Sequence, residues 1–245
     1  MWTRKHILIP SLLLALTVAG AAMAQTINID LGDATGSATG RIIQLVILLT
    51  VLSLAPSLLM MVTSFTRIIV VLSLLRSALG IQQTPPNPVL ISLALFLTGF
   101  IMAPVFVEAY NQGVVPLMEE KIEQKEAYEK TVAPFHAFMI KHVRESDLGL
   151  FVQLAGNPEI TTPEATPLHI LIPAFMISEL RRAFEIGFLI FIPFLIIDMM
   201  VASTLMSMGM MMLPPVMISL PFKLIFFVMV DGWHMLGSSL VESFM

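Results

Sequence analysis

The chain of 245 residues contains no cysteine. Disulfides, thiolate catalysis and sulfur-based zinc sites are therefore excluded, whichever redox compartment the protein faces. Charge is also scarce: 12% of residues are charged, against about a quarter in soluble domains. The net charge of −4 supplies no basic footprint for nucleic acid. There is no Gly-rich phosphate loop, H-E-x-x-H pair or G-x-S-x-G elbow, the local signatures of nucleotide, zinc-protease and serine-hydrolase chemistry. His136, His142 and His169 lie near Glu145 and Asp147, but at spacings that define no metal-binding face. An enzymatic role has no residue to rest on, and no metal or cofactor is expected.

What the chain has instead is apolar length. Hydrophobic residues make up 57% of it and mean hydropathy is +0.89, which points to a bilayer. Arg4, Lys5 and His6 precede the apolar run from Ile7 to Ala19, and Ala22-Met23-Ala24 precede Gln25. A basic region, a short apolar region and an A-x-A site predict a cleavable signal peptide over 1–24, cut between Ala24 and Gln25. A polar, glycine-rich leader follows over 25–40. The setting this implies is a bacterial inner membrane, with the mature N-terminus outside the cytoplasm.

Two apolar halves follow. The first, 41–110, holds a run from Ile42 to Val62, an apolar helical segment up to Leu79, a proline-rich break, and a run from Val89 to Val107. Arg67 and Arg76 are its only charges between Arg41 and Glu108, so the positive-inside rule puts this connection in the cytoplasm. Residues 111–167 form a polar domain with helical patterning in Leu117 to Lys130 and Phe135 to Leu154, expected on the periplasmic side. The second apolar half, 168–245, runs through Leu168 to Leu180, a charged cluster, Gly187 to Met206, a methionine turn, and Pro215 to Leu240. Pro56, Pro104, Pro193 and Pro221 predict bent or broken helices. Pro88 to Leu93 matches Pro215 to Leu220, a short internal repeat consistent with two parallel hairpins. The expected fold is an all-α membrane protein, two kinked hairpins joined by a helical polar domain.

The methionine turn is Met206-Ser207-Met208-Gly209-Met210-Met211-Met212-Leu213-Pro214-Pro215. Thioether side chains are flexible and polarizable, so such a cluster is either a greasy turn or a deformable seal around something that moves. Charges inside apolar runs are the other anomaly. Asp198, Lys223 and Asp231, each costing about 2.5 to 3.5 kcal/mol at a membrane centre, must find partners or water. An internal pair, a pair between subunits and an ion pathway all satisfy that requirement.

Longer motifs then add a resemblance. Pro173-Ala174-Phe175-Met176-Ile177-Ser178-Glu179-Leu180-Arg181-Arg182-Ala183-Phe184-Glu185-Ile186-Gly187-Phe188 resembles the signature of the FliP family of flagellar type III export-gate proteins. Phe191 to Asp198, Gly209 to Pro215, Leu220-Pro221-Phe222-Lys223 with Val230-Asp231-Gly232-Trp233, Met60 to Arg76, and Pro85-Pro86-Asn87 are similar to it as well. The family's injectisome counterparts look alike but are generally shorter at the N-terminus, so the signal peptide and leader favour the flagellar branch. The resemblance implies a non-enzymatic pore subunit in the flagellar basal body, assembled as a homo-oligomer of five copies with the other small membrane subunits of the export gate. Together they would pass unfolded rod, hook and filament subunits across the inner membrane. It implies that Met210, Met211 and Met212 form a gasket at the constriction. Glu179, Asp198, Lys223 and Asp231 are expected to hold subunits in register through buried pairs. It further implies that apolar runs need not be true crossings, because family members raise their hairpins largely out of the membrane plane. The alternatives from other classes are a secondary transporter using Asp198 and Lys223 as a relay, and a passive basal-body scaffold.

Overall fold

The computed structural model describes residues 38–81, 83–156, 162–210 and 213–245. The predicted signal peptide, its cleavage point at Ala24 and Gln25, most of the leader, the centre of the loop after Gly156, and Met211 and Met212 lie outside the described residues. The described residues are helical throughout their regular structure, without a strand. In order these are α1 (Ala38–Met61), α2 (Phe65–Leu79), α3 (Asn87–Ala109), α4 (Val115–Met118), α5 (Gln124–His142), α6 (Glu145–Ala155), α7 (Leu168–Ser207), α8 (Pro215–Met229) and α9 (Gly232–Glu242). Among the described residues, three helical stretches, Ile42–Met61, Asn87–Met118 and Leu168–Ser207, are long and apolar enough to cross a membrane. A fourth arises if α8 and α9, bent by 62°, count as one span.

The chain divides into two units, Met1–Ser53 and Leu54–Met245. In the first, every side chain from Ile42 to Ser53 is exposed. The hydroxyl of Thr50 donates to the Val46 carbonyl (2.7 Å) and that of Ser53 to the Thr50 carbonyl (2.8 Å). This back-bonding hides the hydroxyls from an apolar exterior, as a lipid or apolar partner requires.

The second unit is organised around α2. Ile68, Val71, Leu72, Leu75, Ala78 and Leu79 recur at helical spacing and are all buried, so one face of α2 is core. Leu90 and Ala94 of α3, Ala183 and Phe194 of α7, Phe227 of α8, and Leu236 and Leu240 of α9 complete that core. A second cluster joins Met102 of α3, Phe138 and Met139 of α5, Leu148 of α6, Leu171, Ala174 and Phe175 of α7, and Phe244 after α9.

Several boundaries differ from the sequence expectations. The helices of the polar segment run over 124–142 and 145–155, not 117–130 and 135–154. Glu120 adopts a left-handed conformation (φ 55°) just beyond α4, while α5 continues through Pro134. The break falls at Arg144, whose amide donates to the Ser178 hydroxyl of α7 (3.1 Å). A tertiary hydrogen bond has taken over a donor that local patterning assigns to a helix. Helices α1, α3, α7 and α8 likewise continue through Pro56, Pro104, Pro193 and Pro221. The fourth apolar run breaks instead at Asp231, another left-handed residue (φ 50°). Finally, Leu168 to Leu180 and Gly187 to Met206 are one helix of 40 residues. At 1.5 Å per residue α7 is about 60 Å long, twice the roughly 30 Å of bilayer hydrocarbon. Part of it must therefore stand outside the bilayer if the rest crosses.

One close approach sets α5 against the chain that precedes α4. Between α3 and α4 the chain widens into a five-residue π-turn, Tyr110–Val114. A Cβ on Gly113 there would meet Thr131 Oγ1 of α5 at 2.0 Å and the Ala127 carbonyl at 2.9 Å. The second neighbour is backbone and cannot rotate away. Gly113→Ala is expected to push α5 off this turn and cost about 1–3 kcal/mol, read as a lower thermal unfolding midpoint of the purified protein. An unchanged midpoint would mean that the contact tolerates a methyl group.

Candidate functional site

The methionine turn lies between α7 and α8. Helix α7 ends by Schellman-like closure, the Gly209 amide donating to Met206 O (3.1 Å) and the Met210 amide to Leu205 O (3.0 Å). That closure needs a left-handed residue, and Gly209 (φ 75°) supplies it without a Cβ penalty. Pro214 and Pro215 then start α8, where a missing amide costs nothing. Among the described residues of the turn, Met206, Met208, Met210 and Leu213 are all exposed large apolar side chains. Local chemistry thus ends α7 and starts α8 around this turn, and its described thioethers, those of Met206, Met208 and Met210, are exposed. Phe194 of α7 meets Phe226 and Phe227 of α8 at 6.1 and 6.4 Å between ring centroids, holding the two arms together.

An ion pair fixes the same two arms. Lys223 of α8 is buried at 3% exposure and donates to Asp198 Oδ2 of α7 at 2.6 Å. Its Nζ also donates to the Ala78 carbonyl in the last turn of α2 (3.1 Å), while the Ser219 hydroxyl donates to Asp198 Oδ1 (2.5 Å). Lys223 therefore ties three helices at one ammonium and satisfies a carbonyl left without a helical partner. Asp198 and Lys223, two of the residues singled out from sequence, are brought together within the chain. Asp231 is not brought to a cation among the described residues: it is exposed in the bend between α8 and α9, where its carbonyl accepts from the Met235 amide (3.1 Å).

Glu179 has a partner that the sequence reading counts only as a topology-setting charge. Arg67 of α2 and Glu179 of α7 are both fully buried and form a two-pronged pair, Arg67 Nε to Glu179 Oε2 at 2.9 Å and Nη2 to Oε1. The other guanidinium nitrogen, Nη1, donates to the carbonyl (3.2 Å) and hydroxyl (2.9 Å) of Ser243. The Phe244 ring lies 3.6 Å from the guanidinium carbon, in cation–π contact. The pair thus locks α2 to α7 and both to the chain beyond α9. Arg67, used in the positive-inside argument, is spent inside the fold, and Arg76 donates to Asn87 Oδ1 (2.6 Å) and the Pro85 carbonyl (3.3 Å). The only sequence signal for Arg67 is its isolation in an apolar helix, which does not name its partner.

His142 closes this locus from the polar side, its ring 5.2 Å from Phe244 and 4.7 Å from Phe138. Burial, with Arg67, Lys141 and Arg182 nearby, pushes its pKa down from 6.5 to about 4. As pH falls through that window the unfolded chain takes up a proton that the folded chain refuses. The stability from neutral His142 is therefore fully present above pH 6.5 and is lost progressively toward pH 4, by up to about 3 kcal/mol. Between neutral and acidic buffer the unfolding midpoint of the wild type should fall further than that of His142→Phe, and equal falls would refute the assignment. His136, by contrast, is bonded to the Thr166 carbonyl at 2.8 Å.

The sequence profile of the FliP family matches residues 48–240, a range reaching from α1 into α9. The chain is 62% identical over 225 residues to the flagellar biosynthetic protein FliP of Caulobacter vibrioides, spanning 91% of this chain and 84% of that protein. It is 57% identical over 202 residues to that of Bacillus subtilis (82% and 91%). With that of Agrobacterium fabrum it shares 48% over 233 residues (94% and 95%). The matched range contains both ion pairs and the methionine turn, and the chain belongs to the FliP family.

Proposed function

We propose that the protein is a pore-forming subunit of the flagellar type III export gate, passing unfolded rod, hook and filament subunits across the bacterial inner membrane. The observation that carries this is the turn between α7 and α8, whose described methionines, Met206, Met208 and Met210, all face outward. It is braced by Asp198, Lys223 and Ser219 at the arms. A braced frame with a deformable apolar tip suits a seal that must close against ions and yield to chains of arbitrary sequence. Met210, Met211 and Met212 are the gasket in this proposal. Five copies, joined by the other small membrane subunits of the gate, would surround the channel within the basal body, with the 111–167 domain on the periplasmic side. Of the four charges expected to hold subunits in register, Glu179, Asp198 and Lys223 are paired within the chain, so an inter-subunit role in this proposal falls to Asp231, which is exposed between α8 and α9.

Replacing Met210, Met211 and Met212 by glycine is expected to make cells leaky to small ions while export continues. Unchanged ion permeability would remove the gasket role. Deleting the gene is expected to leave cells without filaments. A small-solute transporter would instead retain its flux without flagellar partners.

A further inference from the structure

From Thr204 to Met210 the hydrogen-bond donors of the tip are already committed to its own backbone. The amides of Met208, Gly209 and Met210 donate to the carbonyls of Thr204, Met206 and Leu205 (3.1, 3.1 and 3.0 Å). The hydroxyls of Thr204 and Ser207 donate to the Val201 and Thr204 carbonyls (2.8 and 2.7 Å). Pro214 and Pro215 have no amide proton, and no residue from 199 to 222 is charged. The first ammonium beyond them, Lys223, is held by Asp198 and the Ala78 carbonyl. Thioethers suit such a tip because they need no hydrogen bond.

One added oxygen atom per side chain would change that. The chain has no cysteine, so thioethers are its only sulfur. Met206, Met208 and Met210 are 56%, 68% and 45% exposed, within reach of a dissolved oxidant, whereas Met102 and Met139 are fully buried. With hydrogen peroxide the sulfur lone pair attacks one peroxide oxygen. The O–O bond breaks, an S–O bond forms, sulfur gives up two electrons and the other oxygen leaves as water, giving methionine sulfoxide. The sulfoxide oxygen is a polar acceptor on a flexible arm, and with the donors of the tip committed it is left to water. We propose that Met206, Met208 and Met210 form a reversible oxidation site whose sulfoxides draw water into the tip and unseal it to small ions. The modification stands on the turn itself, while the leak rests on the gasket reading above. Reduction by the two epimer-specific methionine sulfoxide reductases restores the thioethers, a dithiol becoming a disulfide and the oxygen leaving as water.

The test uses the full-length protein, purified with its partner subunits, reconstituted in vesicles and treated with hydrogen peroxide. Peptide mass spectrometry should find sulfoxide at Met206, Met208 and Met210 at least about tenfold sooner than at Met102 and Met139. Potassium leak should rise several-fold over the same vesicles untreated, and fall back after the two reductases and a dithiol are added. In Met206→Leu/Met208→Leu/Met210→Leu, compared with its own untreated vesicles, peroxide should add no leak. Met217→Leu/Met229→Leu, which removes two thioethers exposed on α8 outside the tip, should keep the response. If the triple variant fails to assemble, Met208→Leu takes its place and should at least halve the added leak. Tip oxidation no faster than at Met102, sulfoxide without added leak, or an added leak that survives the leucine variant overturns the inference. If glycine at Met210, Met211 and Met212 makes the vesicles leak and the sulfoxides do not, the gasket stands and the oxidation site alone falls. If neither leaks, the gasket reading falls with it.

Discussion

Glu179→Ala is expected to destabilise the protein by about 3–5 kcal/mol, the range for removing one partner of a buried ion pair. Arg67 has no exposure to water. Without Glu179 its charge would face only Ser243 and the Phe244 ring among the described residues. Arg67→Ala should cost as much for the converse reason, a carboxylate buried in the core. Much of that loss is the penalty of a lone charge, so Arg67→Met with Glu179→Leu should recover most of it. The thermal midpoint of the purified protein, measured for both single variants and the double, checks this. A double variant no better than the worse single would mean that the pair also fixes a geometry apolar side chains cannot reproduce. Because the same guanidinium binds Ser243, truncation before Ser243 should lower the midpoint by a smaller step.

The second large effect is at Lys223. Lys223→Ala removes the ammonium that Asp198 and the Ala78 carbonyl share. The expected cost is about 2–3 kcal/mol, smaller than for Glu179 because Asp198 retains 30% side-chain exposure and water can solvate it. Lys223→Arg should not restore stability. The Lys223 ammonium fits within 4.0 Å of where a Cβ on Gly80 would sit, and a guanidinium is wider and demands a planar fork of acceptors. Limited proteolysis of the turn around Met208, compared between wild type and Lys223→Ala, reads the consequence for the methionine tip. Faster cleavage is the expected result, and equal rates would show that the Phe194 contacts hold the arms unaided.

Much of the molecule is legible along the chain because its causes are local. Apolar runs longer than a membrane is thick need no partner to declare themselves, so the all-helical class and the candidate spans follow from hydropathy and length. The methionine turn is equally visible: Gly209 and the Pro214-Pro215 pair encode a tight reversal through backbone geometry alone. Order and length of the motifs from Pro173 onward carry the family. Prolines are a weaker guide. Each removes one helical hydrogen bond, which a helix held by its neighbours absorbs, so α7 passes through Pro173 and Pro193 unbroken.

Partners are another matter. That Asp198, Lys223 and Glu179 need counter-charges follows from the cost of burying an ion, a property of each residue by itself. Which atoms supply them depends on contacts between residues far apart in sequence, such as Arg67 and Glu179, separated by 112 positions. No local pattern records that distance. The tertiary structure alone decided that Arg67 is a core residue rather than a topology marker, and that Lys223 caps α2. The physical reason is that apolar burial is additive and non-directional, so it can be read residue by residue, whereas ion pairs are short-ranged, directional and settled only where helices meet.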